Sequence, residues 1–249
     1  LGKLVPMSNK PRQSWSLGIM CYNESGNIEQ VVRHTCNTAS LLADEWEVIV
    51  VDDGSADDSV PILKRLKAQE FPDLRIVEHG INRGIGAALR SIYFNAAKDV
   101  VVALPGDGQF DANELLAYPY VAIRTVISYY RVENTSYSVF RNGLSWVNKT
   151  LNRVLLGMEL RDVNWILVFR AADLRDLDLR MQSSIVTSEI CSKLRYKGWR
   201  FLEVQSRYLP RTAGKSRGAS LRTIYRAASE LIRLIAVYRL FRRRIRSTN

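Results

Sequence analysis

The sequence predicts an α/β fold built on a mostly parallel sheet. Three observations carry that expectation. Apolar, β-branched runs of strand length recur up to Leu104. Segments whose apolar residues recur at helical spacing separate them, and strands alternating with helices mark a parallel sheet with crossover helices. The residues richest in chemistry fall just after the strands, where open α/β sheets gather ligands.

The elements follow in order. "SLGIM" (16–20) reads as the first strand, and a helical pattern covers 26–42. "WEVIVV" (46–51) is a continuous apolar run, as in a strand buried on both faces. Residues 56–69 open with acids and place Pro61 near the first turn, a helix-start signature. "LRIVEH" (74–79) predicts a third strand, 84–97 a helix and "VVVAL" (100–104) a fourth strand. Beyond residue 120 the pattern loosens. A strand is expected within "YVAIRTVISYYRV" (120–132), helices over 142–158 and 185–199, and a strand over 200–209. The expected organisation is an extension over 1–15, one domain over 16–219 and a basic amphipathic helical tail over 220–249.

Composition sets bounds. The chain has 249 residues, 47% of them hydrophobic and 24% charged, enough to build a core. No run approaches the roughly 18 apolar residues of a spanning helix, and the start lacks the apolar centre of a secretion signal. Leu1 is no initiator, so the residues before Met7 are read as a cloning remnant. Cys21, Cys36 and Cys191 are odd in number and scattered, which suits a reduced cytosolic protein. The net charge is +11. Sixteen of the 36 Lys/Arg but only two of the 25 Asp/Glu lie in residues 191–249, so any anionic partner is expected to meet the end of the chain.

Several motifs carry chemistry. "VVDDGSADD" sets Asp52 and Asp53 at a strand end, where a carboxylate can accept from a ribose or base. Turn formation alone would also explain Asp-Gly-Ser. "NRGIGAAL" (82–89) lacks the third glycine of a dinucleotide fingerprint and follows the third strand, so its glycines are read as packing and turn residues. "GDGQFD" (106–111) is no EF-hand, because Tyr118 stands at the twelfth loop position. Its hard oxygen donors still suit Mg²⁺ or Mn²⁺ with substrate phosphates completing the shell. Asp111 is expected to cap a helix from Ala112; Asp107 and Gln109 have no such structural use. In "RDVNW", Asp162 is a candidate general base or else a paired surface carboxylate. "LPRTAGKSRG" (209–218) is a basic loop in which Arg211, Lys215 and Arg217 could close over phosphates. His34 and His79 are too far apart in sequence to suggest a zinc site or a hydrolytic triad, and no G-x-S-x-G or P-loop pattern occurs.

Taken in order, "CYNESGNIEQVV", "VIVVDDGSADDS", "NRGIGAAL", "GDGQFD", "RDVNW" and "PRTAGKS" resemble the family-2 glycosyltransferases of GT-A fold. The nearest likeness is to the polyprenyl-phosphate hexose transferases, a group that includes dolichol-phosphate mannose synthases. The resemblance spans about Ser16 to Ser216. It implies a Rossmann-like nucleotide-binding sheet with helices on both faces. It implies that Tyr22, Glu24 and Asp53 hold the nucleoside and that Asp107 and Gln109 hold the metal. Arg131 would face an acceptor phosphate, and Arg211 and Lys215 would clamp the donor diphosphate. Relatives usually carry an acid where this chain has Pro105, which implies weaker metal affinity. They often carry a lysine after the "RDVN" element, where this chain reads "WILVF".

The implied reaction is inverting transfer of a hexose by direct displacement, from a UDP- or GDP-sugar. A lipid-phosphate acceptor arrives ionised and needs no strong base; a hydroxyl acceptor needs one, and Asp162 is the candidate. A non-catalytic nucleotide-sugar-binding protein is the reading that Pro105 keeps open. The tail over 221–246 puts apolar residues on one face and Arg222, Arg226, Glu230 and Arg233 on another. Such a helix can lie on an anionic membrane surface, here the cytoplasmic face, or pack back on the domain or on a second copy. Nucleic-acid binding is the least favoured use of its charge.

Overall fold

The computed structural model describes residues 12–131, 160–211, 213, 229–230 and 233–234. The expected helix over 142–158 and most of the tail lie outside the described residues.

The chain alternates as the sequence predicts. It runs β1 (Trp15–Cys21), α1 (Ile28–Leu42), β2 (Trp46–Asp52), α2 (Ser59–Gln69), β3 (Arg75–Glu78), α3 (Ile85–Asn95) and β4 (Val100–Pro105). A 3₁₀ helix (Ala112–Ala117) leads to β5 (Thr125–Arg131). Then come β6 (Leu167–Arg170), α4 (Ala171–Arg175), α5 (Ile185–Tyr196) and β7 (Arg200–Ser206). The seven strands form one sheet in the order β3-β2-β1-β4-β6-β5-β7. β3, β2, β1 and β4 are parallel neighbours, and β6 runs antiparallel to both β4 and β5.

The apolar runs are continuous because both faces of the sheet are covered. Ile49 and Val51 of β2, with Val101 and Ala103 of β4, join Leu89 and Ile92 of α3 and Ile190 and Leu194 of α5 in one core. The alternate residues Val48, Val50, Val100 and Val102 join Val32, Ala39 and Leu42 of α1 and Leu63 and Leu66 of α2 in the other. On α1 the buried residues Ile28, Val32, Cys36, Ala39 and Leu42 form a stripe at helical spacing. Cys21, Cys36 and Cys191 are all buried and free. Burial pushes the thiols of Cys21 and Cys36 up to about 12.

β6 was not expected. Its first three residues end "WILVF" with no turn residues marking the strand's ends, and only pairing with β4 and β5 identifies it. The strand expected over 200–209 stops at Ser206, after which the chain turns toward the site. The tail meets the domain at two described points. Glu230 Oε2 accepts from Gln182 N at 3.0 Å and Ser183 N at 2.8 Å, and Leu234 is buried in the α3–α5 core. At these residues the tail packs back on the domain.

Glu47 ties the lower sheet edge together. It accepts from Ser16 Oγ, Arg75 Nη1 and Ala97 N, each at 2.6 Å. Burial alone would raise its carboxyl, but Ser16, Ala97 and Arg75 outweigh it and hold it below the usual glutamate range. Glu47→Gln is therefore expected to cost about 1–3 kcal/mol at neutral pH. The wild-type advantage is present above the usual glutamate range and is lost as pH falls through the depressed value. Urea unfolding of both proteins across pH checks the sign.

Candidate active site

The site lies at the carboxyl ends of β1, β2 and β4, which are adjacent and in register: Met20 pairs with Val51 on one side and Pro105 on the other. Three loops therefore leave the sheet side by side. Gly106 allows the β4 loop to hug β1, since its N–H donates to Met20 O at 2.9 Å and a Cβ would meet that oxygen at 2.5 Å.

The β1 loop is fixed before any ligand arrives. Asn23 N donates to Ser55 Oγ, Glu24 N to Ser59 Oγ and Ser25 N to Asp57 Oδ2. Asn23 Oδ1 accepts from Ala56 N at 2.7 Å. The Glu24 carbonyl accepts from Asn27 N and Ile28 N, which starts α1. Asp57 is a loop brace: burial works against its charge, but Ser59 and Ser25 donate strongly enough to lower its carboxyl below the usual range.

The β4 loop carries Asp107 and Gln109. Asp107 Oδ1 accepts from Gln109 N at 3.1 Å, and Gln109 Nε2 donates to Tyr208 Oη at 2.6 Å. Asp111 accepts from Asn113 N at 3.0 Å and caps the 3₁₀ helix, as expected of it. It also meets His34 Nε2 at 2.9 Å, so it faces α1.

The segment after β7 straps these loops. Leu209 N donates to Gln109 O at 3.0 Å. Arg211 Nη2 donates to Glu24 Oε1 at 2.5 Å and to Asp107 Oδ2 at 3.3 Å. Asn27 Nδ2 donates to Glu24 Oε2 at 2.7 Å and to Ala213 O at 3.2 Å. Burial pushes the Glu24 carboxyl above its ordinary range; Asn27 and Arg211 oppose the rise and Asp107 adds to it. Lys215 and Arg217 lie outside the described residues.

Arg131, at the end of β5, stands beside this group. Its Nε donates to Asp162 Oδ2 at 2.8 Å. Its guanidinium lies over the Trp165 ring at 4.6 Å and the Tyr208 ring at 5.6 Å. Tyr208 thus touches both Arg131 and Gln109, and it joins the two halves of the site. Sequence reasoning missed Tyr208, Trp165 and Asn27. The only available signal for Tyr208 was its place between a predicted strand and Arg211.

The contacts of Asp53 differ from its expected place at the donor. The residue is 4% exposed. Its oxygens accept from Arg83 N at 2.9 Å and Gly84 N at 2.7 Å and meet His79 Nδ1 at 2.7 Å. His79 Nε2 in turn meets Ser91 Oγ of α3. Asp53 thereby shapes the "NRGIG" turn, which the sequence could not reveal because the pairing is through space. Gly86 of that turn fits its packing reading, since a Cβ there would meet Gln182 O at 2.1 Å. Tyr22, 37% exposed, directly follows β1.

The donor set suits a hard divalent cation. Asp107 and Glu24 offer carboxylate oxygens, and Gln109, whose amide nitrogen is used by Tyr208, offers its carbonyl oxygen. The Arg211 guanidinium already places positive charge between the two carboxylates. Among the described residues, no cluster of three or more His, Cys, Asp or Glu forms an all-protein cage, so the rest of a shell would come from substrate or water.

Comparison with known proteins agrees with this geometry. The model of "Glycosyl transferase family 2" matches residues 16–171. Undecaprenyl-phosphate 4-deoxy-4-formamido-L-arabinose transferases of Salmonella choleraesuis (strain SC-B67) and Salmonella typhimurium (strain LT2) are 29% identical over 107 residues. That stretch is 42% of this chain and 32% of each relative, so the match spans about a third of the relatives' length. Among solved structures, glucosyl-3-phosphoglycerate synthase from Mycobacterium tuberculosis in complex with UDP matches with a TM-score of 0.63 at 17% identity. The match covers 91% of this chain and 80% of that one. The same enzyme with Mn²⁺, UDP and phosphoglyceric acid gives a TM-score of 0.62 at 17% identity, covering 91% and 78%. At such identity the likeness is one of fold. The chain belongs to glycosyl transferase family 2, and its seven-stranded sheet with helices on both faces is the GT-A fold.

Proposed function

We propose that this chain is an inverting, metal-dependent transferase that moves a hexose from a nucleotide-diphosphate sugar to a polyprenyl phosphate. The observation that carries the reading is the linked set Asp107–Gln109–Tyr208–Arg131. It links Arg131, the cation assigned to an acceptor phosphate, with Asp107, the carboxylate assigned to a metal. The formamido-arabinose transferases are named for undecaprenyl phosphate, and the structural neighbours were crystallised with UDP and Mn²⁺. The first fact favours a lipid-phosphate acceptor, the second a UDP-sugar donor. GDP remains the second candidate, and Mg²⁺ the second metal.

Each residue then has a task. Tyr22 and the β1 loop receive the nucleoside. Asp107 and Gln109 hold the cation, whose positive charge, when bound, stabilises the departing diphosphate. Arg211 adds a second positive charge to that leaving group, with Lys215 assigned the same task. Arg131 orients the acceptor phosphate, and Asp162 with Trp165 fixes its guanidinium plane. An acceptor phosphate is already anionic, so no residue must remove a proton before attack. No helix among the described residues is long and apolar enough to cross a membrane. Access to a lipid acceptor is assigned to contact of the basic residues of 191–249 with the cytoplasmic face of the membrane.

A hydroxyl acceptor is the second reading, because Asp162 is a carboxylate next to the acceptor cation. The test pairs wild type and Asp162→Asn with labelled UDP- and GDP-hexoses, Mn²⁺, and either undecaprenyl phosphate in vesicles or hydroxyl acceptors. The proposal expects glycosyl-lipid formation, kept within about tenfold in the variant. Loss of a general base would instead cost about 10²–10⁴-fold. Transfer to hydroxyl acceptors alone would contradict the lipid reading. Binding of nucleotide sugar without any turnover would favour the non-catalytic alternative.

A further inference from the structure

Asp107 is one carboxylate where a divalent cation calls for more negative charge, and Pro105 closes off the position two residues earlier. Pro105 ends β4 beside Met20 of β1. The β1 loop therefore emerges next to the β4 loop, and it delivers Glu24. The two carboxylates come from residues far apart in sequence, yet they accept from the same nitrogen, Arg211 Nη2. Their side chains are only 13% and 17% exposed, so neither is a freely solvated surface charge.

Glu24 is held in place by contacts besides the one to Arg211. Its backbone N–H is fixed on Ser59 Oγ, its carbonyl starts α1, and Asn27 Nδ2 holds Oε2. Oε1 is the atom left to a cation. Arg211 fills that role incompletely: its Nε is buried with no hydrogen-bond partner. A guanidinium has five donors and is best satisfied by forked contacts, such as those a diphosphate offers.

We propose that Glu24 supplies the second anionic ligand of the cation site, and that Arg211 occupies the Glu24–Asp107 pair until the cation arrives. This rests on the glycosyl-transfer reading above and adds a residue to its metal site. Arg211 is then exchanged rather than fixed. It leaves the carboxylates when the cation takes them and turns its guanidinium to the donor phosphates. Glu24, assigned from the sequence to the nucleoside, becomes a metal ligand that compensates for Pro105.

The test is Mn²⁺ binding to the full chain without nucleotide, read from the spectrum of free Mn²⁺ by electron paramagnetic resonance. Unfolding midpoints in EDTA show that each variant is folded. Glu24→Gln is expected to weaken Mn²⁺ binding by about tenfold or more, as Asp107→Asn does. Arg211→Gln is expected to tighten it, because the competing cation is gone. A Glu24→Gln protein that binds Mn²⁺ as wild type does would overturn the proposal, as would weaker binding in Arg211→Gln. Titration of wild type with UDP and GDP separates the two claims. Mn²⁺ uptake sensitive to Glu24, with neither nucleotide bound, would sink the transferase reading and leave the carboxylate pair standing. Nucleotide and Mn²⁺ binding untouched by Glu24→Gln would sink only the assignment of Glu24.

Discussion

Replacing Asp107 with Asn is expected to lower sugar transfer by about 10³-fold, at the upper end of what loss of one preorganised electrostatic contact costs. The size follows from how few groups the β4 loop provides. Pro105 cannot ligate, and Asp111 is spent on the cap at Asn113 and on His34. Asp107 is thus the one carboxylate of that loop set on the strap. The loss should fall on the chemical step, because charge on the leaving diphosphate is greater in the transition state than in the bound donor. Single-turnover rates at saturating donor would read it directly. A change of less than about tenfold would mean that Asp107 only shapes the loop through Gln109 N.

Replacing Arg211 with Ala is expected to cost about 10²–10³-fold in kcat/KM, since it removes the donor best placed to meet developing phosphate charge. The same change leaves Glu24 and Asp107 facing each other without the guanidinium between them. Mn²⁺ alone should therefore bind more readily while turnover falls. Opposed effects on metal affinity and rate would not arise from simple unfolding. Arg211→Lys should recover only part of the rate, because an ammonium cannot make the forked contact. Parallel rate and Mn²⁺ titrations on the three proteins check both trends.

The sheet was legible because β1, β2 and β4 are buried on both faces, and such strands must be apolar throughout. The helices were legible from spacing, as α1 illustrates with its stripe from Ile28 to Leu42. β6 was hidden because four residues are too few to show a period, and antiparallel insertion between β4 and β5 is a property of the assembled sheet. Asp107, Gln109 and Arg211 could be picked out as candidates from residue type and from their place after strands. Their mutual arrangement could not, because it depends on a strap anchored by Leu209 on Gln109, 100 residues away, and by Ala213 on Asn27, 186 residues away. The contacts of Asp53 were hidden for a related reason. A strand-end carboxylate looks the same in sequence whether it faces a ligand or, as here, the backbone of Arg83 and Gly84.

Asp107 is proposed to hold a cation against the donor diphosphate. Crystals soaked with Mn²⁺ and UDP test it most directly through the anomalous signal of manganese. The expected result is one peak bonded to an Asp107 oxygen and to diphosphate oxygens, with Arg211 turned to the phosphates. UDP bound with no manganese at Asp107, or manganese bound elsewhere, would contradict it.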